Sequence, residues 1–208
     1  RRLVEVKECL LAEDRVNAAL SGLRAKRHLR PGPATLRADP AKTGFRKVTD
    51  GAAEVLTSAV EEMAGSGGVL VDAYCGAGFF AKRLVDRFER IVGIDWDERS
   101  TNQARTNANA KEVYFTGDTA ELLPGILSDH QAQVVLLDPP AQGSAPEVID
   151  ALVSSSVPRI VYVSCDPATL SRDIGKLASS YALTRAVPVD MFPQTASIET
   201  AAMLEKTN

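Results

Sequence analysis

The sequence predicts an α/β protein on a Rossmann-like, doubly wound sheet of about seven strands. Three observations predict it. Short apolar runs alternate with helical patterns from residue 69 onward. Three of those runs, Val69-Leu70-Val71, Val134-Val135-Leu136-Leu137 and Ile160-Val161-Tyr162-Val163, lead straight into chemistry-bearing residues. Those residues are Asp72-Ala73-Tyr74-Cys75-Gly76-Ala77-Gly78, Asp138-Pro139-Pro140 and Ser164-Cys165-Asp166-Pro167. Open α/β sheets bind ligands outside the carboxyl ends of their strands, so this pattern describes an enzyme with one working edge.

Residues 3 to 23 read as an amphipathic helix ending near Ser21-Gly22. Residues 30 to 44 are rich in Pro and Gly without periodicity, which marks a linker or the remnant of a small subdomain. A helix from about Asp50 to Met63 follows, with Ala53, Leu56, Val60 and Met63 on one face, and Gly65-Ser66-Gly67-Gly68 ends it. Strand 69–72 then leads to helix 78–88, and strand 91–94 to helix 97–109. Strand 112–115 precedes a short helical turn near 119–127. Strand 133–137 precedes helix 146–153, and strand 159–163 precedes helix 167–179. Two tail strands, near 181–189 and 197–204, are placed to pair antiparallel.

At 208 residues and 45% hydrophobic, the chain can bury one good core with a small appendage. It begins Arg1-Arg2, the expected start of an excised piece of a longer protein. No apolar stretch is long enough for a membrane span, and no signal peptide is visible. Three dispersed cysteines suit neither a disulfide framework nor an all-cysteine zinc or iron–sulfur site, so no metal is expected and a reducing, cytoplasmic setting is. The net charge of -3 hides an asymmetry. Residues 1 to 48 hold 12 Lys/Arg against 5 Asp/Glu, and residues 49 to 208 hold 12 against 22. The basic clusters Arg24-Ala25-Lys26-Arg27-His28-Leu29-Arg30 and Phe45-Arg46-Lys47 suit phosphate groups, and equally a solvated face.

The first strand-end loop sets Gly76 and Gly78 in a strand-to-helix turn, where glycine admits positive φ and lets a ligand approach the backbone. Asp95 ends the next strand, where a carboxylate can accept both ribose hydroxyls of a nucleoside. Asp118, after Gly117, is placed to reach an adenine edge. The position two after Gly78 is Phe80 rather than a third glycine, and no phosphate-loop Lys-Ser/Thr follows. That disfavours a dinucleotide or ATP and leaves S-adenosylmethionine as the expected cofactor. Cys75 reads as a packed small hydrophobe.

Asp138-Pro139-Pro140 fixes a carboxylate on a rigid loop beside that cofactor. Ala141 stands where amino-group methyltransferases place an aromatic that stacks the base. Asp166 is placed to cap the next helix and Pro167 to open it, so Cys165 lies near a helix amino terminus whose field favours thiolate. Cys165 is the candidate nucleophile. Glu199, after Phe192-Pro193-Gln194-Thr195, is either a solvated strand-start residue or a base tuned by a pocket.

Together these segments closely resemble the catalytic domain of the S-adenosylmethionine-dependent RNA uracil-C5 methyltransferase family, which makes 5-methyluridine in tRNA and 23S rRNA. The resemblance rests on Asp72–Gly78, Asp138-Pro139-Pro140-Ala141-Gln142-Gly143, Ser164-Cys165-Asp166-Pro167-Ala168-Thr169-Leu170-Ser171-Arg172-Asp173, and Phe192-Pro193-Gln194-Thr195 with Glu199. It implies a sheet of the class I methyltransferase type in residues 44–208, with 1–43 a remnant of an RNA-facing central subdomain and linker. It implies cofactor contacts at Lys47, Tyr74, Phe79, Asp95, Asp118 and Asp138, beside the loop residues Asp72, Gly76 and Gly78. It makes Cys165 the nucleophile, Glu199 the base that removes the C5 proton, and RNA the partner of an expected monomer. Ala141 replaces the family's usual Arg, Ser197 a common His, and Lys47 a Gln. These departures bear on substrate choice, and less on activity. Methylation of an amine or small molecule, and RNA binding without turnover, are the competing readings.

Overall fold

The computed structural model describes residues 17–18, 20–22, 50–191 and 198–207. The first five of these are helical and belong to a unit spanning Arg1–Thr43; everything else below concerns the unit Gly44–Asn208. Helix α1 (Asp50–Ala64) precedes β1 (Gly67–Ala73), α2 (Phe79–Leu84), β2 (Phe88–Asp95), α3 (Glu98–Thr106) and β3 (Glu112–Thr116). Then come α4 (Thr119–Asp129), β4 (Ala132–Leu137), α5 (Pro146–Ser154), β5 (Arg159–Ser164), α6 (Pro167–Leu177), β6 (Tyr181–Val189) and β7 (Glu199–Lys206).

The strands form one sheet in the order β3-β2-β1-β4-β5-β7-β6. Strands β1 to β5 are parallel neighbours, and β7 runs antiparallel between β5 and β6. The tail strands therefore pair as the sequence suggests. The order reverses between β1 and β4, and the crevice there receives the loops that follow both strands.

Side chains alternate across the sheet, which explains the nearly continuous apolar runs. Leu70, Ile91, Leu136, Val161 and Val163 face a core closed by Leu56, Val60 and Met63 of α1 with Phe80 and Leu84 of α2. Val71, Val92, Val135, Leu137 and Ile160 face the other, closed by Leu123, Val148, Leu152 and Leu177.

Three elements differ most from expectation. Helix α2 stops at Leu84, where Arg87 N–H bonds Leu84 O, and β2 begins at the buried Phe88, paired with Gly67. The exposed Glu89 and Arg90 obscured that strand start in the sequence. The segment expected as a short turn is an eleven-residue helix, α4, with Pro124 inside it. Pro124 removes one helical N–H, and the packing of Leu123 and Ile126 outweighs that loss.

Candidate active site

The glycine loop leaves β1 through Tyr74, whose φ of 67° is the one positive value at a non-glycine among the described residues. Gly76 and Gly78 follow at φ 53° and 80°. Left-handed backbone at a tyrosine is strained by about 1–2 kcal/mol, and loops that hold ligands are where such strain collects. Gly76 N–H donates to Asp95 Oδ2 at 2.7 Å, and Asp97 N–H to Asp95 Oδ1 at 2.9 Å. These bonds orient the carboxylate at the end of β2 and leave further lone pairs on both oxygens for ribose hydroxyls. Asp118 is exposed and caps α4 by accepting from Ala120 N–H at 2.8 Å. Cys75 is buried, as a packing residue should be.

Asp72 lies beneath this loop, 1% exposed. Its Oδ2 accepts from Ala81 N–H at 3.2 Å, whereas Oδ1 has no hydrogen-bond partner. Burial, then the charges of Asp138 and Asp95, push its carboxyl up to about 8. An orphaned buried oxygen and a repelled neighbouring acid describe a site that lacks a positive charge.

The second half of the crevice is assembled by the β5–β7 pairing. Ser164, the last residue of β5, is opposite Thr200, so continuing the antiparallel register carries Cys165 past Glu199, the first residue of β7. Cys165 is half-buried, Glu199 is 1% exposed, and Asp138 is half-buried. Burial and the Glu199 charge, then those of Asp138 and Asp166, raise the Cys165 thiol above its ordinary value. The two expected catalytic carboxylates thus both act electrostatically on the expected nucleophile.

That shift corrects the expectation that the helix terminus favours thiolate. Asp166 Oδ1 accepts from Ala168 N–H and Thr169 N–H, both at 2.8 Å, so the first amides of α6 are spent on the cap. Burial first, and then the acidic neighbours, hold the thiol up. Of the two readings of Glu199, the solvated one is excluded by its burial between β5 and β6, whose Val189 also pairs with it. Lys47, Ser197 and Phe192-Pro193-Gln194-Thr195 lie outside the described residues.

Two exposed aromatics also stand at this edge: Trp96, which sequence reasoning passed over, and Phe79, an expected cofactor contact. Trp96, the chain's single tryptophan, follows Asp95 and is 78% exposed. Phe79 is 40% exposed at the first position of α2, edge-on to the buried Phe80 at 5.1 Å between ring centroids. An aromatic directly after a strand-end acid was the available signal for Trp96.

The comparisons with known proteins agree with this layout. A family model described as tRNA (Uracil-5-)-methyltransferase matches residues 119–207, and a general methyltransferase-domain model matches 71–138. A protein of Gloeobacter violaceus named an uncharacterized RNA methyltransferase is 36% identical over 202 residues, which are 96% of this chain and 41% of that protein. A second so named, from Nitratidesulfovibrio vulgaris, is 40% identical over 170 residues, 77% of this chain and 36% of its own length. Over its carboxyl-terminal part the chain is thus similar to tRNA (uracil-5-)-methyltransferases, and over nearly all its length to a protein named an RNA methyltransferase.

The chain spans about two fifths of the length of those relatives. Its fold resembles the crystal structure of a Pyrococcus abyssi tRNA (uracil-54, C5)-methyltransferase in complex with S-adenosyl-L-homocysteine. The TM-score is 0.67 at 29% identity, covering 78% of this chain and 40% of that one. The N-methyltransferase NodS of Bradyrhizobium japonicum shares the fold at TM-score 0.57 and 17% identity, covering 76% of this chain and 98% of that one. The class I methyltransferase sheet is therefore common to both.

Proposed function

We propose that this protein transfers a methyl group from S-adenosylmethionine to C5 of a uridine in tRNA or ribosomal RNA, through a covalent bond between Cys165 and C6. The observation that carries the reading is the β5–β7 register, which brings a half-buried thiol and a buried carboxylate to one point of the sheet edge beside Asp138. The names of the relatives and the structural likeness to a tRNA uracil-C5 enzyme support the same substrate class.

The chain's donors fit a sulfonium cofactor. Asp95 would hold the ribose, Gly76 and Gly78 would let the cofactor approach the backbone, and Asp72, Tyr74, Phe79, Asp118 and Asp138 would complete the pocket; Lys47 is a further contact that the resemblance implies. The orphaned oxygen of Asp72 supports this assignment, because a cation beside it would remove the repulsion among the acids. When bound, the cofactor supplies an electrophilic methyl group.

The protein's residues supply the rest. Uracil C5 is a poor nucleophile until a group adds at C6. Cys165 loses its proton to solvent and its sulfur bonds C6, which drives electrons toward O4 and makes C5 carbanion-like. C5 takes the methyl group. Glu199 then removes the C5 proton, the electron pair re-forms the C5–C6 double bond, and the C6–S bond breaks to return the thiolate. Asp138 orients the ring through its N3–H. The uridine must leave its stack to reach this edge, which suits a loop or an extruded base.

Cys165→Ala is expected to abolish methylation and leave cofactor affinity within about threefold, a shift under ~0.7 kcal/mol. Retained turnover would reject the covalent route. Glu199→Gln is expected to accumulate a protein–RNA adduct that survives denaturation, visible as a shifted band on a denaturing gel. Full activity with no adduct would remove Glu199 from the role of base.

A further inference from the structure

A buried polar cluster lies beneath the crevice, and the chemistry above leaves it unused. Asp173 sits on the apolar stripe of α6 between Leu170 and Leu177, wholly buried. Its Oδ2 accepts from the Tyr162 hydroxyl at 2.7 Å and from Ser144 N–H at 2.9 Å. Its Oδ1 accepts from Arg172 Nε at 2.9 Å and forms an ion pair with Arg172 Nη2 at 2.8 Å. Arg172 Nη2 also donates to Gln142 O at 2.7 Å. Tyr74, from the glycine loop, lies close enough for Ser144 and Asp173 to act on its hydroxyl. The loop after β4 is fitted to the cluster: Gly143 has φ +81°, and a Cβ there would overlap Arg172 Nη2 and Asp173 Oδ2.

A leucine at position 173 would complete the helix stripe without desolvating a charge. Burying a carboxylate costs several kcal/mol, and its bonds here roughly offset that. What the carboxylate adds is direction. It ties the segment that begins at Asp138 to the helix that begins just after Cys165, using backbone on one side and side chains of β5 and α6 on the other.

We propose that Asp173 is a positioning residue, which locks the loop of residues 138–144 onto α6 and so sets the spacing between the Asp138 carboxylate and the Cys165 sulfur. The proposal rests on the roles given to Cys165 and Asp138 above. A displacement of about 1 Å at a reacting centre can cost about a hundredfold in rate, so a loosened loop acts on turnover first.

The test measures kcat for methyl transfer to RNA, KM for the cofactor, S-adenosylhomocysteine affinity from Trp96 fluorescence, and Tm. Asp173→Asn and Gly143→Ala are expected to lower kcat about tenfold or more while cofactor affinity stays within about threefold. Tyr162→Phe, which removes one partner of Asp173, is expected to give a smaller fall of the same kind and serves if Asp173→Asn does not fold. Tyr181→Phe is the control: its buried hydroxyl bonds Leu152 O and Val157 O, so it is expected to lower Tm with kcat unchanged. Turnover within about twofold of wild type in both Asp173→Asn and Gly143→Ala would overturn the proposal. So would kcat and cofactor affinity falling together in step with Tm. The wild-type protein's failure to form an adduct with 5-fluorouridine RNA would instead reject the uridine-C5 reading, independently of the kcat split.

Discussion

Burial, and after it the charges of neighbouring acids, raise the Cys165 thiol above its ordinary value. Glu199 and Asp138 act on it through their charges, and Asp166 has taken the amides that would otherwise stabilise a thiolate. The alkylation rate of Cys165, followed by peptide mass spectrometry with iodoacetamide, is therefore expected to climb with pH to a midpoint above the ordinary thiol value. Glu199→Gln removes a negative charge, so it is expected to move that midpoint downward. An unchanged midpoint would show that Glu199 does not face the sulfur. The Cys165 motif was legible in the sequence because a Cys-Asp-Pro after a buried run combines a strand end, a cap and a helix start. Glu199 was not legible in the same way. Its burial comes from pairing with β5 and β6, partners distant in sequence, and a lone Glu at a strand start carries no trace of that. Asp173 did leave a signal, an acid on an otherwise apolar helix stripe.

The elements were read best where period and punctuation agreed. β6 was found at its observed bounds, and α1, α5 and β5 to within a residue, because Gly, Pro or Ser-rich turns flank their apolar faces. Helix α4 and the start of β2 were obscured by Pro124 and by Glu89-Arg90, whose local preferences yield to packing on the sheet. The glycine loop is the element on which the cofactor site depends. Gly78 caps α2 at φ 80°, and a Cβ there would stand 2.8 Å from the Tyr114 hydroxyl, which Glu112 holds by a 2.6 Å hydrogen bond. Gly78→Ala is expected to cost about 1–3 kcal/mol of stability and to weaken cofactor binding. Chemical denaturation and Trp96 fluorescence measure the two effects. A variant as stable as wild type would mean that the loop does not need its left-handed turn.

At the scale of the molecule, the working edge concentrates acid, and that leaves a mark on stability. Asp72 titrates at about 8 in the fold against an ordinary value of 3.8, so the folded state holds a proton that the unfolded chain has released. Its stabilising effect is complete below the unfolded value and is lost as pH rises through the folded one. Stability is expected to fall between about pH 4 and 8, by up to about 1.4 kcal/mol per pH unit from this group, and Asp72→Asn to remove that slope. Equal slopes in wild type and variant would contradict it. We propose that residues 44–208 are the catalytic domain and 1–43 the remnant of an RNA-facing subdomain, a division consistent with the basic excess in residues 1 to 48. The central claim is that Glu199 takes a proton from uridine C5 after Cys165 has bonded C6. RNA carrying tritium at uridine C5 tests it most directly. One tritium is expected to be released to water for each methyl group incorporated, with both absent in Cys165→Ala. Methyl incorporation with the tritium retained in the RNA would contradict it.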